Sequence, residues 1–337
     1  MDVANLYVHF PFCRRKCTYC ALYSRAGVSQ PDRDAYVSRI AHEIASCAFD
    51  ALPLRTIYFG GGSPALCDLR KLAAVLRPLC GAGTEFTVEL HPLDVTEDLL
   101  HALVDLGVNR ISMGVQSLDD SVLAAMGRGY ALDQAERAFH LVRKHVDNAG
   151  IDLIVGYPGE RTADEDARWA RLRTWGLRHC SVYSLQNERG IPDVPDDDVV
   201  LDQIRRASVR LSAMGLERYE ISNYAVPGFA CRHNLAVWRG EDYVGIGEGA
   251  HGRIGCVRTT VGRSGVSESR VSPADDFTER TIFRLRTREG LDSSRRPEWR
   301  KVLDGFVDEG LLTRAGPIYR LTERGTEVCD SILAELV

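Results

Sequence analysis

The sequence predicts an α/β protein whose parallel sheet curls into a barrel or partial barrel of the (β/α)6 TIM type, followed by a small α+β domain. Two observations lead to this prediction. Strand-like and amphipathic segments alternate six times between Leu6 and Met214, which is typical of parallel sheets covered by helices. Polar residues and a glycine run recur where strand-like segments end, and that edge carries the chemistry in such folds.

Six short runs rich in β-branched and aromatic residues predict the strands. They are Leu6–Phe10, Thr56–Gly60, Glu85–Leu90, Arg110–Val115, Ile151–Val155 and Cys180–Leu185. Amphipathic segments predict the helices between and after them. These segments are Arg33–Phe49, Leu69–Leu79, Glu97–Leu106, Leu132–Val146, Asp164–Trp175 and Val199–Met214. Since each helix follows a strand, six βα units are expected.

Length, charge and cysteine content narrow the class of protein. The 337 residues can hold one large α/β domain plus an appendage. The 42 Lys and Arg against 47 Asp and Glu give a net charge of −5, so no overall positive field recruits nucleic acid. Ten cysteines in a chain of this length do not make a disulfide scaffold, and neither a leader pattern nor a membrane-spanning apolar run is present. The sequence therefore predicts a soluble cytoplasmic protein without a transmembrane segment.

Cys13, Cys17 and Cys20 form the most informative motif, C-x3-C-x2-C. Thiolates select zinc or iron–sulfur clusters. A cubane cluster on three cysteines keeps one iron open for a ligand, whereas a structural zinc site needs a fourth ligand. His9, four residues before Cys13, could supply that ligand. Because His9 lies in a strand-like run that reads as buried, we favour the iron–sulfur interpretation.

The second motif is a run of three glycines, Gly60 to Gly62, followed by Ser63 and Pro64. Residues without a Cβ let a ligand approach the backbone closely. Carbonyls there can accept from an ammonium group and amides can donate to a carboxylate. A tight turn explains the run equally well when it is considered alone, but the preceding cysteine motif favours a binding role.

Four polar residues stand at or just after strand ends: Glu89, Gln116, Arg128 and Asp152. Each of them, taken singly, is best explained as a surface residue. Their recurrence at one rim favours a ligand site, since carboxylates and amides suit ribose hydroxyls and an arginine suits a carboxylate.

These motifs together resemble the oxygen-independent coproporphyrinogen oxidase group of the radical S-adenosylmethionine (radical SAM) superfamily. The quoted motifs are Tyr-x-His-x-Pro-Phe-Cys from Tyr7, Gly-Gly-Gly-Ser-Pro from Gly60, Gly-Val-Gln-Ser from Gly114, Asp-Leu-Ile-x-Gly-x-Pro-Gly from Asp152 and the segment Tyr219–Ala225. The resemblance implies a radical SAM partial barrel with a [4Fe–4S] cluster on Cys13, Cys17 and Cys20, and SAM on its open iron. It also implies SAM contacts, by position, from Tyr7, Tyr19, Gly61, Gly62, Ser63, Glu89, Gln116, Arg128 and Asp152. Ser63 stands where the family usually has threonine, which keeps the hydroxyl.

Within that group the sequence is most similar to the HemW-type heme chaperones. The oxidases carry a further cysteine at the position of Leu22 and have an amino-terminal extension, whereas the first strand here begins by Leu6. The resemblance therefore implies a protein that binds heme and delivers it to recipients such as respiratory heme proteins. It assigns no catalytic side chain, and it leaves a homodimer open. The alternative is a radical SAM enzyme that acts on a tetrapyrrole, such as an oxygen-independent coproporphyrinogen III decarboxylase.

The segment from Cys231 to Gly240 resembles the His-Asn-x-x-Tyr-Trp element associated with heme in HemW proteins. The resemblance implies His233 as an axial heme ligand, since imidazole suits heme iron. The alternative is a structural histidine, with Trp238 in the core. Val237 replaces the usual tyrosine, which removes one polar group from the element.

The chain is expected to divide into a barrel over 1–225, a heme-motif segment and loop over 226–272, and a winged-helix-like α+β domain over 273–337. The last part has helix patterns around two strand-like runs near Gly316 and Pro317. It lacks a concentrated basic stripe, so a structural cap or a partner surface is favoured over DNA binding.

Overall fold

The computed structural model describes residues 3–49, 52–161 and 163–337. Its strands are β1 (Asn5–Phe10), β2 (Phe12–Cys13), β3 (Arg25–Ala26), β4 (Thr56–Gly61), β5 (Glu85–Leu90), β6 (Arg110–Gln116), β7 (Asn148–Val155), β8 (His179–Ser184), β9 (Glu217–Arg218), β10 (Asn223–Ala225), β11 (Val244–Ile246), β12 (His251–Ile254), β13 (Val257–Gly262), β14 (Gly265–Arg270), β15 (Leu291–Asp292), β16 (Leu312–Ala315) and β17 (Ile318–Leu321).

The α-helices lie mainly between these strands. They are α1 (Gln30–Ser46), α2 (Ala73–Leu76), α3 (Glu97–Asp105), α4 (Asp120–Ala125), α5 (Leu132–His145), α6 (Glu165–Arg173), α7 (Asp197–Ser212), α8 (Arg232–Trp238), α9 (Pro273–Phe283), α10 (Arg300–Asp308), α11 (Glu323–Glu327) and α12 (Cys329–Ala334). Within the described residues, no helix has the length and apolar character needed to cross a membrane.

A nine-stranded sheet in the order β11-β1-β4-β5-β6-β7-β8-β10-β9 forms the centre of the molecule. The six predicted strands β1, β4, β5, β6, β7 and β8 are adjacent and parallel. The predicted α/β class with a central parallel sheet is therefore confirmed. β11 adds a further parallel strand beside β1, and β10 and β9 continue the other edge in antiparallel orientation.

Most predicted elements differ by one to three residues at an end, as in α1, which spans Gln30–Ser46 rather than Arg33–Phe49. Two differences have a clear cause or consequence. β7 begins at Asn148 rather than Ile151. Asn, Ala and Gly have low strand propensity, yet the start of β7 pairs in register with the start of β6. The helix expected over Leu69–Leu79 is α-helical only in α2, with 3-10 turns on both sides. Pro78 contributes to this break because its ring cannot fit inside an α-helix.

The two faces of the barrel strands differ in polarity. Every second side chain along each strand packs under the helices and belongs to the main apolar core. This core includes Leu6, Val8, Phe10, Ile57, Phe59, Phe86, Val88, Ile111, Met113, Ile151 and Val182. The side chains between them point to the other face of the sheet, into the barrel interior. These residues are mostly polar or small: Asn5, Tyr7, His9, Thr56, Tyr58, Gly60, Glu85, Thr87, Glu89, Arg110, Ser112, Gly114, Asn148, Gly150, Asp152, His179, Ser181 and Tyr183.

This polar interior is the main departure from an ordinary TIM barrel, whose interior is filled by layers of branched apolar side chains. Many of the inward side chains instead line a cavity of about 790 Å³. The cavity reaches from the loops after the strands down to Arg110 and His179, which begin β6 and β8.

Helix α8 closes the base of the barrel. The Glu85 carboxylate accepts hydrogen bonds from the backbone N–H groups of Arg232 (2.8 Å) and His233 (3.1 Å). A carboxylate is favourable at the start of a helix because the first N–H groups have no partner inside the helix. Glu85 begins β5, so α8 sits at the amino ends of the strands, opposite the cysteine loop.

A smaller carboxyl-terminal part has its own apolar core. β15, β17 and β16 form an antiparallel sheet in that order, packed against α9, α10 and α12. The sequence from Arg253 to Val271 suggests a loop or hairpin. In the structure, residues His251 to Arg270 form an antiparallel sheet of β12, β13 and β14. The division at 225 and 272 stays a prediction; β11, which lies beyond 225, belongs to the barrel sheet.

Candidate cluster and cofactor site

The three motif cysteines lie together at the carboxyl edge of the sheet. Cys13 ends β2, and Cys17 and Cys20 follow in the loop. All three line the cavity and are partly exposed. The loop is fixed to the end of α4 by hydrogen bonds from Thr18 N to Met126 O (3.2 Å) and from Arg15 Nη2 to Gly127 O (2.6 Å). This donor set suits a thiolate-bound metal centre.

His9, the fourth ligand of the zinc alternative, has both ring nitrogens occupied. Its Nδ1 lies 3.0 Å from the Tyr7 hydroxyl, and its Nε2 lies 2.9 Å from the Tyr23 carbonyl. The ring is buried and packs against Gly61. This arrangement commits His9 to the barrel interior rather than to the cysteines, and it argues against a zinc site built from one histidine and three cysteines.

The glycine run packs directly on the strand that leads to the cysteines. Gly62 N donates to Phe10 O (2.8 Å) and Ser63 N donates to Phe12 O (2.7 Å). A Cβ on Gly62 would lie 2.4 Å from Phe12 O, and one on Gly61, whose φ is +107°, would lie 2.6 Å from the His9 ring. Both glycines also line the cavity. The run is therefore required by close packing against the cysteine segment as well as being available to a ligand.

Asp94 joins the cysteine loop to the glycine segment, and it was not among the residues predicted from the sequence. One carboxylate oxygen lies 2.5 Å from Arg14 Nε and the other 2.5 Å from Ser63 Oγ. The Asp94 side chain is only 2% exposed. Its position in the sequence could have indicated a functional residue, because Asp94 lies in the segment after β5 and barrel enzymes place functional groups after their strands.

Glu89 lies half-buried at the end of β5 and lines the cavity. Its carboxylate accepts hydrogen bonds from the Tyr58 hydroxyl (2.7 Å) and the Gly61 backbone N–H (3.1 Å). Burial raises the pKa of Glu89 to about 7, although both hydrogen bonds act in the opposite direction. At neutral pH the side chain is thus poised between the neutral and the charged form.

Asp152 and Gln116 continue the rim on β7 and β6. The Ser112 hydroxyl lies 3.0 and 3.2 Å from the two Asp152 carboxylate oxygens, and burial raises the pKa of Asp152. Gln116 has a φ of +75° at an irregularity in the pairing of β6 with β7. A non-glycine residue in this conformation stores strain, which is frequent at functional sites.

Arg128 connects the rim to the cysteine loop. Its Nη1 lies 3.4 Å from Cys17 Sγ and 3.5 Å from the Tyr19 hydroxyl, while Nη2 donates to Gly114 O at 2.6 Å. The guanidinium is buried, so it places a fixed positive charge beside the thiols. Burial raises the pKa of the Cys13 and Cys20 thiols, and the Arg128 charge acts against that rise at Cys13.

The structure brings together most of the residues expected to contact SAM. The cavity is lined by Tyr19, Gly61, Gly62, Ser63, Glu89, Gln116, Arg128 and Asp152. Tyr7 is not among the described lining residues; its ring stacks on Tyr58 with centroids 5.9 Å apart. Their role as SAM contacts stays a prediction.

His233 lies in a different place from these residues. It is 5% exposed in α8, and its Nδ1 lies 2.8 Å from Thr56 Oγ1. Burial lowers the pKa of His233 to about 3. Trp238 contacts Phe283 edge-on, at a centroid distance of 5.9 Å, and is not among the described residues that line the cavity. In this conformation His233 is a buried structural histidine, and its assignment as a heme ligand stays a prediction.

Comparisons with known proteins point to one family. Residues 7–169 match the radical SAM superfamily. The heme chaperone HemW of Mycobacterium tuberculosis is 31% identical over 99% of this chain and 94% of its own length. HemW of Escherichia coli is also 31% identical, over 98% of this chain and 97% of its own. Coproporphyrinogen III oxidase (HemN) of E. coli superposes with a TM-score of 0.84 at 21% identity, covering 99% of this chain and 90% of that one, which shows a shared fold.

Proposed function

The chain belongs to the HemW heme chaperone family of the radical SAM superfamily, and from this premise we propose that it binds heme and delivers it to recipient proteins. Membership of the superfamily implies a [4Fe–4S] cluster and SAM. The cavity that holds the three cysteines and eight of the expected SAM contacts supports the cofactor part of the proposal. The heme part rests on the family match over nearly the whole chain.

The residues present fit these groups. Three thiols at one edge of the cavity can hold a cluster with one open iron. Gly61 and Gly62 leave the backbone accessible, while Glu89 and Asp152 offer carboxylate oxygens to hydroxyl or ammonium groups. When bound, the cluster and SAM supply one-electron chemistry, and the protein supplies binding and orientation. Arg128 holds positive charge beside the cysteine loop.

Heme ligation by His233, which the family resemblance implies, has a structural requirement. Glu85 holds the start of α8, and Thr56 holds the imidazole. Heme iron therefore reaches His233 only when α8 moves away from the base of the barrel. Respiratory heme proteins as recipients, a cytoplasmic location and a homodimer are parts of the proposal that follow from the resemblance.

The test is a heme titration of protein reconstituted anaerobically with iron and sulfide. We expect about four irons per cluster-bearing chain by [4Fe–4S] stoichiometry, a SAM-dependent change in the cluster spectrum, and saturable heme binding. Transfer of the bound heme to an apo-cytochrome, followed by absorption, would support delivery. A protein with an intact cluster that binds no heme would contradict the chaperone proposal.

A radical SAM enzyme acting on a tetrapyrrole is the second candidate. The size of the cavity, about 790 Å³, favours it, because an interior of this size can enclose a small-molecule substrate. Leu22, which replaces the further cysteine of the oxidases, lines the cavity and is 58% exposed. Cleavage of SAM coupled to a modified tetrapyrrole would select this candidate, and SAM that stays intact while heme is transferred would reject it.

A further inference from the structure

Arg110, the first residue of β6, is a buried cation without an ion-pair partner among the described residues. It is 2% exposed and lines the cavity. Its Nε is buried without a hydrogen-bond partner, and no described residue makes a hydrogen bond or ion pair with its guanidinium. Buried arginines are almost always paired, since an unpaired charge away from water is costly.

Glu85, an acidic residue near Arg110, is already engaged. Burial opposes the charge on Arg110, yet nearby groups that include Glu85 raise the pKa of Arg110 above its usual value. The Glu85 oxygens accept the backbone N–H groups at the start of α8, and no oxygen of Glu85 lies within 4.0 Å of the guanidinium. Arg110 therefore keeps its charge and its hydrogen-bonding capacity for another group.

His179, which begins β8 and lines the same cavity, has a buried ring nitrogen without a partner in the described part of the chain. Its Nε2 lies 2.8 Å from the Tyr219 hydroxyl, while its Nδ1 is buried without a partner among the described residues. The Tyr219 oxygen accepts from Cys231 N at 3.1 Å, and its phenol proton can be donated to His179 Nε2. Burial lowers the pKa of His179 well below its usual value, so the ring is neutral. In the tautomer that accepts from the Tyr219 hydroxyl, the single ring proton is on the unpaired Nδ1.

The geometry of the sheet places these two donors near each other. Gly150 pairs with His179 on one side and with Ser112, two residues after Arg110, on the other. Because Gly150 has no side chain, nothing at that position separates the side chains of Arg110 and His179. Thr87, the register partner of Arg110 on β5, adds a buried hydroxyl that also lacks a hydrogen bond within the described part of the chain.

We propose that Arg110 and His179 form a carboxylate subsite at the base of the cavity, which receives an alkyl carboxylate arm of a tetrapyrrole. The planar guanidinium can bind both oxygens of a carboxylate, and the neutral imidazole N–H can donate to one of them. That the carboxylate belongs to a tetrapyrrole rests on the proposed function. The subsite itself rests only on the unpaired donors and the cavity.

The first experiment compares heme with heme dimethyl ester, in which both carboxylates are replaced by uncharged methyl esters. We expect the reconstituted wild-type protein to bind heme about 10- to 100-fold more tightly than the ester, the range for a charged hydrogen bond. Arg110→Gln should lose this preference, because it removes the charge and keeps a polar side chain. Equal binding of heme and ester by the wild type would overturn the proposal without any variant.

Arg218→Gln is the matched control. Arg218 is also partly buried, but it is hydrogen-bonded to Thr326 and Tyr224 and does not line the cavity among the described residues. It should keep the wild-type preference for heme over the ester. Loss of the preference in this control as well would assign the effect to general destabilisation and overturn the role of Arg110.

A second experiment separates the subsite from heme binding. We would titrate carbon-13-labelled propionate into the cluster-bearing protein and observe line broadening by NMR, with propionamide as the neutral control. If propionate broadens, propionamide does not, and Arg110→Gln abolishes the effect, the subsite is supported even when heme fails to bind. Failure of heme to bind would then contradict only the proposed function. No broadening in the wild type means that water alone occupies the donors and overturns the subsite.

Discussion

The Tyr58 hydroxyl donates a hydrogen bond of 2.7 Å to the Glu89 carboxylate inside the barrel. Both side chains are half-buried and line the cavity, and burial raises the pKa of Glu89 to about 7 against an ordinary value of 4.5. The hydrogen bond from Tyr58 favours the charged form and limits that rise. The pair therefore makes the stability of the protein depend on pH in a defined window.

Between pH 4.5 and 7 the folded protein should hold a proton on Glu89 that the unfolded chain has released. The free energy of unfolding then falls as pH rises through this window, by about 3 kcal/mol in total. Glu89→Gln should remove this fall, since the amide does not titrate. Urea denaturation of the cluster-free protein at several pH values measures the slope.

Tyr58→Phe is the matched variant for this prediction. It removes the bond that lowers the pKa of Glu89, so the fall in stability should extend to higher pH than in the wild type. An unchanged pH profile in Glu89→Gln would mean that Glu89 is already charged in the folded protein.

Cys17→Ala should abolish the cluster and leave the barrel folded. The cysteine loop lies outside the apolar core, which is formed by the opposite face of the strands. Iron and acid-labile sulfide should fall to near zero while far-ultraviolet circular dichroism stays unchanged. Cys256→Ala, at a partly exposed cysteine outside the described cavity lining, should retain both. Full iron and sulfide in Cys17→Ala would refute the ligand assignment.

The polar residues at strand ends made much of this site predictable from the sequence, and the alternation along the strands explains why they share one face. Thr56, Tyr58 and Gly60 alternate with Ile57 and Phe59, which fixes the polar face of β4 against the apolar one. Because the polar members recur on every barrel strand, the polar residues at the rim could be predicted to converge. A period of two specifies the face of each residue, whichever strands are paired.

Contacts between distant segments could not be read in this way. β11 pairs with β1 although the two strands lie far apart in the chain, and nothing in a three-residue strand identifies its partner. His233 is buried because Thr56 and Glu85 hold it, and both lie far away in sequence. The sequence around His233 therefore resembled a heme-ligand motif. The contacts that bury His233, and so decide whether a ligand can reach it, could not be predicted from that motif.

Asp94 should be essential for holding the cysteine loop in place. Asp94→Asn keeps the shape but removes the charge that Arg14 pairs with, so we expect a loss of about 1–3 kcal/mol in stability and faster release of iron to a chelator. Arg14 is 58% exposed, so the ion pair alone contributes less than the buried bond to Ser63.

Ser63 provides the comparison for this prediction. Ser63→Thr keeps the hydroxyl and should release iron at the wild-type rate, whereas Ser63→Ala should approach Asp94→Asn. Equal iron release from all three variants and the wild type would show that the link from Asp94 to the loop does not hold the cluster.

Heme ligation by His233 requires the movement of α8, and this requirement is measurable. Because the helix is seated on Glu85 and its histidine is 5% exposed, we expect heme to increase hydrogen exchange at the backbone amides of residues 232–238. His233→Ala should weaken heme binding at least about tenfold, the loss of one good interaction, and spare the cluster. His251→Ala, at an exposed histidine bonded to Thr260, should bind heme as the wild type does. Unchanged heme affinity in His233→Ala, with α8 still protected, would make His233 purely structural and place the iron ligand elsewhere.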